Sequence, residues 1–336
     1  MTIPVIAFFN NKGGVGKTSL VYHLSWMYTE LGRRVLVSDL DPQANLTAAF
    51  IDEDRLEELW PDGEHPATVS GAIDPLLRGT GDILERPHLE QVGEQLYLQV
   101  GDLALARFED ELSQQWPLCL DGKERAFRVI SAFWRLLQFG AEEAQAEVVL
   151  LDLGPNLGAI NRAALVASDY LVVPLAPDLF SLQGLKNLGP TVRKWRSEWS
   201  ERRKRCEVAD LALPKGRILP AGYVVMQHAV RLDRPVKAYE RWVARIPEVY
   251  AAEVLQKSSL RARDKDDAHC LGMIKHYRSL IPLAQEARKP MFHLTPAEGA
   301  IGAHAKAVQD TRAAFRQLSE RIAEECKLFG TSALKK

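Results

Sequence analysis

The stretch Lys12-Gly-Gly-Val-Gly-Lys-Thr-Ser-Leu20 lies between an apolar run, Ile3–Phe9, and a helix-patterned stretch, Thr18–Leu31. It constrains this chain more than any other feature. A buried strand that enters a glycine turn and then a helix N-terminus is the context in which backbone N–H groups converge on phosphate. Gly13, Gly14 and Gly16 let the backbone turn back with its amides inward, where a side chain would block the anion. Together with Val15 and Ser19 they form a nucleotide cradle. Within it Lys17 reaches the β- and γ-phosphates as a point charge, and the Thr18 hydroxyl is placed to ligate Mg²⁺. The general pattern GxxxxGK[ST] fails at Asn11, where a glycine would be required. What stands instead is KGGxGKT. Its second lysine, Lys12, sits at the mouth of the loop, from where it can cross to a nucleotide held by another subunit.

The rest of the chain supplies the frame for such a loop. Arg34–Ser38 reads as a short apolar strand that runs out into Asp39-Leu40-Asp41-Pro42-Gln43-Ala44-Asn45. Acids at that position sit on the carboxyl edge of a sheet, where open α/β sheets bind ligands. Asp41 is placed to orient a water for attack on the γ-phosphate, and Asp39 is a second metal candidate. Val148–Asp152 is a fully apolar strand ending in an aspartate, the Walker B arrangement, in which Asp152 stands near Mg²⁺ and acts through a bound water. The loop Leu153-Gly154-Pro155-Asn156-Leu157-Gly158 follows it, and then another strand, Tyr170–Pro174. Further strands are expected at Leu96–Val100 and Ile218–Met226, and helices at Leu103–Trp116, around Phe127–Leu137, at Ser181–Arg205 and at Gly299–Cys326. Pro190 is expected to kink or restart the third of these. Strands alternating with helices predict an α/β fold, doubly wound, with a mostly parallel sheet and helices on both faces. One P-loop domain spans residues 1–336 in this reading. It includes a variable, exposed excursion at about 50–95, broken by prolines and acidic clusters, and a segment at 257–278 without clear period.

Composition narrows the partners. The chain is 46% hydrophobic and 26% charged with net charge −1, so a surface for nucleic acid must be local. Two basic clusters offer one. Arg193, Lys194, Arg196 and Arg202-Arg203-Lys204-Arg205 belong to the first; Arg231, Arg234, Lys237, Arg241 and Arg245 belong to the second. Each reads equally as a solvated helix face or as a contact surface for DNA phosphates. The four cysteines, Cys119, Cys206, Cys270 and Cys326, form no CxxC pair, which argues against a cluster or zinc site and for reduced thiols in a cytoplasm. The first strand follows the N-terminus at once and leaves no room for a signal peptide. No apolar stretch approaches the roughly 18 residues of a membrane span, so no membrane contact is expected.

Assembled, these motifs resemble the ParA/MinD family of deviant-Walker-A ATPases, and within it the ParA/Soj partition branch. Lys12–Thr18 resembles the signature loop, Asp39–Asn45 is similar to the DxDPQxN switch I, and Asp152–Gly158 to switch II. Ala164–Gln183 resembles the segment that lines the nucleotide base, which makes Pro174, and beyond it Met226, the base-side candidates. Lys289–Lys306 is similar to the segment before the closing helix. The resemblance implies an ATP-dependent homodimer in which each Lys12 contacts the partner's phosphates. It also implies slow hydrolysis stimulated by a ParB-like or other adaptor protein, and non-specific DNA binding over the nucleoid. The sequence departs from the family in three places. Gly154 and Asn156 replace a proline and the serine of Asp-x-Pro-Pro-Ser, Met226 stands where relatives carry Asn or Thr, and residues 228–290 match loosely. A MinD-like membrane-cycling ATPase would need a basic amphipathic tip, for which 329–336 is short and polar, and a metal-cluster carrier would need paired cysteines. A nucleotide-gated regulator or scaffold stays open.

Overall fold

The computed structural model describes residues 2–227, 236–257, 267–275, 277 and 279–329. Its strands are β1 (Val5–Phe8), β2 (Val35–Asp39), β3 (Glu90–Gly93), β4 (Leu96–Gln99), β5 (Val148–Asp152), β6 (Tyr170–Leu175), β7 (Leu219–Gln227) and β8 (Cys270–Lys275). They form one sheet in the order β3-β4-β2-β5-β1-β6-β7-β8. Every pairing is parallel except that of β3 with β4.

The helices are α1 (Lys17–Glu30), α2 (Asn45–Phe50), α3 (Glu53–Leu59), α4 (Val69–Arg78), α5 (Phe108–Leu118), α6 (Glu124–Ile130), α7 (Ala132–Glu143), α8 (Ala159–Val166), α9 (Leu179–Arg203), α10 (Val236–Val243), α11 (Ile246–Val249), α12 (Leu280–Ala287) and α13 (Ala303–Glu325). They cover both faces of the sheet. Val5, Ala7, Val149, Leu151, Leu171 and Val173 pack under α4 to α9. The alternate positions, Ile6, Phe8, Val35, Val37, Leu150 and Val172, pack under α1, α2, α12 and α13. Strands buried on both faces read as continuous apolar runs, which is why β1, β2, β5 and β6 stand out in the sequence.

Several elements differ from the expectation. Residues 50–95 hold three elements, α3, α4 and β3. The acidic residues 52–54 are exposed as read, but Val69, Ala72, Ile73 and Leu76 of α4 are buried in the main core. Pro75 does not prevent that helix, which Thr68 starts by accepting the Gly71 amide. The stripe around Phe127–Leu137 is divided between α6 and α7 at Ser131. Pro190 neither ends nor restarts α9, which runs unbroken for 25 residues. β8 is the strand the sequence hides: its burial alternates irregularly and its pairing with β7 slips at Tyr223/Val224. Only Gly fits at position 222, where φ is +150° and a Cβ would lie 2.6 Å from the His269 carbonyl.

Candidate active site

The C-terminal ends of β1, β2 and β5 are adjacent in the sheet, and Asp39 stands opposite Asp152 in register. The glycine loop emerges from β1 beside them. Gly14 and Gly16 hold φ of +69° and +87°, the left-handed region that glycine enters without strain, and Gly16 caps α1. Lys17 is buried, and burial lowers its ammonium pKa against the opposing pull of Asp152 and Asp41. Thr18 Oγ1 donates to Asp152 Oδ2 at 2.6 Å. The other oxygen of that carboxylate, Oδ1, is buried and accepts no hydrogen bond in the structure. Burial, and after it the charge of Asp39, raises the Asp152 pKa well above the usual carboxylate range.

Asp39 has another task in this conformation. Its Oδ2 accepts from the Thr47 amide (2.8 Å) and hydroxyl (2.9 Å), and its Oδ1 accepts from the Asp41 amide (3.2 Å). The Thr47 hydroxyl in turn accepts from the Gly101 amide at 2.8 Å. Both oxygens of Asp39 thus fix the loop after β2 in this conformation. Asp41, released from that anchoring role, is held by the Gln43 amide at 3.0 Å and lies against Gly154, where a Cβ would stand 3.1 Å from Asp41 Oδ1. The departure from proline at 154 therefore leaves room for the candidate water-orienting carboxylate. Asn156 at the other departure is tied in by Asn161, whose amide donates to Gly154 O, Asn156 O and Asn156 Oδ1.

Sequence reading misses three residues that hold this site. Glu109 of α5 accepts from the Ala159 and Ile160 amides at 2.5 and 2.8 Å, capping α8 from a distant helix. The Asn10 side chain donates to the Pro174 carbonyl at 2.7 Å. That bond occupies one of the two lone pairs of the buried Pro174 carbonyl and ties the end of β6 to the start of the phosphate loop. Met226 remains beside the loop, its Cε 3.1 Å from where a Gly16 Cβ would be. The third is Asp178, the N-cap of α9, which accepts from Ser181 N at 2.8 Å and forms an ion pair with Lys12. Although partial burial pulls the Asp178 pKa up, Lys12 and the Ser181 amide outweigh it and hold the carboxyl below its usual range. Lys12 also stands over the Phe180 ring, which is 71% exposed. Ser19 is exposed, and its carbonyl accepts from His23 Nδ1 in the neutral-ring tautomer that places the proton there.

The residues fit Mg²⁺. The donors gathered at the strand tips are hard oxygens, and Asp152 Oδ1 is a buried acceptor without a partner. Among the described residues no group of three or more His, Cys, Asp or Glu encloses a metal position. A site of one hydroxyl and one carboxylate, completed by nucleotide phosphates and water, is the form Mg²⁺ takes beside a phosphate loop.

The basic candidates separate. Arg203 and Arg205 are exposed and Arg193 and Arg196 half-buried. Arg202 is removed from the set of DNA contacts: it is 7% exposed, its guanidinium stacks on Trp116 at 4.5 Å, and it donates to the carbonyls of Trp116 and Glu198. Arg241 is exposed beside Trp242. Arg231 and Arg234 lie outside the described residues. Among the described residues no helix is long and apolar enough to cross a membrane.

A family model described as an AAA domain matches residues 3–204. The chain is 31% identical over 198 residues to protein IncC of Escherichia coli, covering 59% of this chain and 48% of that one. It is 33% identical over 191 residues to cell division protein PomZ of Myxococcus xanthus, with coverages of 55% and 50%. To the sporulation initiation inhibitor protein Soj of Bacillus subtilis it is 29% identical over 189 residues, with coverages of 56% and 64%. The matches thus span about half to two thirds of these relatives. Among solved structures, a Corynebacterium diphtheriae protein aligns with a TM-score of 0.70 at 24% identity, over 96% of this chain and 98% of that one. A McdA–ATP complex from Cyanothece aligns with a TM-score of 0.61 at 15% identity, over 97% of both chains. At such identities the likeness is one of fold.

Proposed function

The chain belongs to the ParA/MinD family of deviant-Walker-A ATPases, and on that premise we propose that it is an ATP-driven dimerising switch. It binds Mg-ATP, closes as a homodimer over two nucleotides, and hydrolyses slowly until an adaptor protein stimulates it. In the ATP form it holds DNA without sequence preference and so positions a plasmid, chromosome or protein cargo over the nucleoid, in the cytoplasm. One observation carries this reading: Lys17, Thr18, Asp41 and Asp152 meet at one sheet edge, with a second lysine, Lys12, on the rim. The names of relatives in cell division and sporulation initiation favour a positioning role.

The placement of each residue supports the chemistry proposed for it. Lys17 is desolvated beside Asp152 and Asp41, and a phosphate entering the loop restores its preferred charged surroundings. Thr18 and Asp152 are the residues that would hold Mg²⁺, which supplies charge neutralisation on the phosphates when bound. Asp41, fixed by Gln43 and lodged against Gly154, orients the attacking water. Lys12 leaves Asp178 and stabilises charge on the partner's nucleotide.

The test is sizing by light scattering with ATP present. Asp41→Ala should keep nucleotide and accumulate as dimer, whereas Lys12→Ala should bind ATP and stay monomeric. An Asp41→Ala variant that turns over ATP at the wild-type rate removes the assigned role, and a Lys12→Ala dimer removes the contact in trans.

A further inference from the structure

The far end of α9 carries a charged site that the nucleotide chemistry does not use. Arg193, Arg196, Ser197 and Ser200 share one helix face, and Lys215, Gly216 and Arg217 close over it to leave a cleft of about 410 Å³. The loop is fixed against the helix. Gly216 has φ +61°, and a Cβ there would lie 2.2 Å from Trp199 Cδ1, so only glycine allows this approach. Trp199 Nε1 donates to the Pro214 carbonyl at 2.9 Å, and the Arg203 guanidinium donates to the Lys215 carbonyl at 3.2 Å. Gly216 is buried and its two neighbours are exposed, which places both cations at the cleft mouth.

The four cations Arg193, Arg196, Lys215 and Arg217 make no ion pair among the described residues, whereas Lys194 on the adjoining face does pair, with Glu198. Asp169 feels Lys215 and Arg217 but is engaged by the Val5 amide at 3.2 Å. Arg193 donates to the Glu253 carbonyl, which steadies it without neutralising it. Four cations held around one cleft attract an anion, and serine hydroxyls beside them suit phosphate oxygens.

The length of the basic track selects the ligand. Arg203, Lys204 and Arg205 continue it, exposed, beyond the cleft. From position 193 to its end at 203 α9 rises about 15 Å at 1.5 Å per residue, roughly four nucleotides of one strand at 3.4 Å each. A compact phosphate would need only the cleft. We propose that the cleft binds the phosphodiester backbone of nucleic acid, with Lys215 and Arg217 as contacts no sequence motif announces. This site lies at the sheet edge opposite the nucleotide, because α9 leaves β6 at the loop and returns to the start of β7. The proposal rests on the DNA arm of the function above and names where the contact is made.

The experiment is fluorescence anisotropy with a random-sequence duplex and the full chain at saturating Mg-ATP, across a salt series. At about 0.1 M salt each phosphate contact contributes near eightfold, and its loss flattens the log–log salt slope by about 0.9. Lys215→Ala/Arg217→Ala should therefore bind roughly 60-fold more weakly, with a slope shallower by about 1.8. Lys215→Arg/Arg217→Lys should retain binding, and ATP affinity should be unchanged in both, which excludes misfolding. If the wild type binds duplex and the double alanine variant binds equally, the cleft is refuted while the DNA reading stands. If the wild type ignores duplex, both fall. A parallel titration with inorganic tripolyphosphate in the Lys17→Ala background then shows whether the cleft takes free phosphate instead, which would replace nucleic acid as the occupant.

Discussion

Removing the Asp178 carboxylate while keeping its cap isolates what the Lys12–Asp178 pair does. Asp178→Asn is suited to this, because asparagine caps helices as well as aspartate and keeps the bond from the Ser181 amide. It loses only the ion pair. In the proposed dimer Lys12 must leave Asp178 to reach the partner's phosphates, so the pair opposes association. The two side chains are 27% and 30% exposed, which sets the pair near the upper end of surface ion pairs, about 1 kcal/mol. A dimer breaks two of them, about 2 kcal/mol in all, or roughly 30-fold in the association constant. Sedimentation velocity at saturating ATP over a protein dilution series, in the Asp41→Ala background to suppress hydrolysis, measures this directly. The expected result is a dimer that persists to roughly 30-fold lower protein concentration. A variant that dimerises no more tightly than its parent refutes the latch. If Lys12→Ala in the same background dimerises normally, the failure lies in the assigned role of Lys12 and not in Asp178.

Three further outcomes follow from the site. Burial raises the pKa values of Asp39 and Asp152, so the native state keeps protons that the unfolded chain releases, and metal-free stability should fall as pH rises above about 4 through neutrality. Asp152→Asn should then be more stable than wild type by a few kcal/mol at pH 8 and by only about 1–2 kcal/mol at pH 5, in urea unfolding without Mg²⁺, since each pH unit between the unfolded and folded pKa values is worth about 1.4 kcal/mol. Glu109→Ala leaves two α8 amides uncapped and should cost about 1–2 kcal/mol by the same measurement; an unchanged midpoint would show that water replaces the carboxylate. Gly184→Ala would put a Cβ 2.8 Å from Asn11 Oδ1 and 3.1 Å from Asn10 Oδ1, displacing the phosphate loop, and calorimetry should show weaker Mg-ATP binding with little loss of fold stability.

What the sequence discloses here is what local geometry encodes. The phosphate loop is legible because three glycines and an apolar strand are needed within a dozen residues, and the carboxylates at 39, 41 and 152 because each ends a run buried on both faces. Contacts across the chain leave no such trace. Lys12 and Asp178 are 166 residues apart, and Glu109 reaches α8 across 50. The exposed acidic stretch at 52–54 draws attention away from α4, whose apolar face supports the same core as the strands. The basic run on α9 teaches the opposite lesson, since its resolution was present in the spacing. Leu188, Val192, Trp195 and Trp199 recur at intervals of three and four and are buried, and the next position in that series is 202. Arg202 therefore falls on the apolar stripe, and stacks on Trp116 as a helix of that period requires. Arg193, Arg196 and Ser200 fall on a different face, the one Lys215 and Arg217 close. A run of like charges on a helix is thus two sets of residues, and the apolar period that divides them decides which set faces solvent and can meet a polyanion.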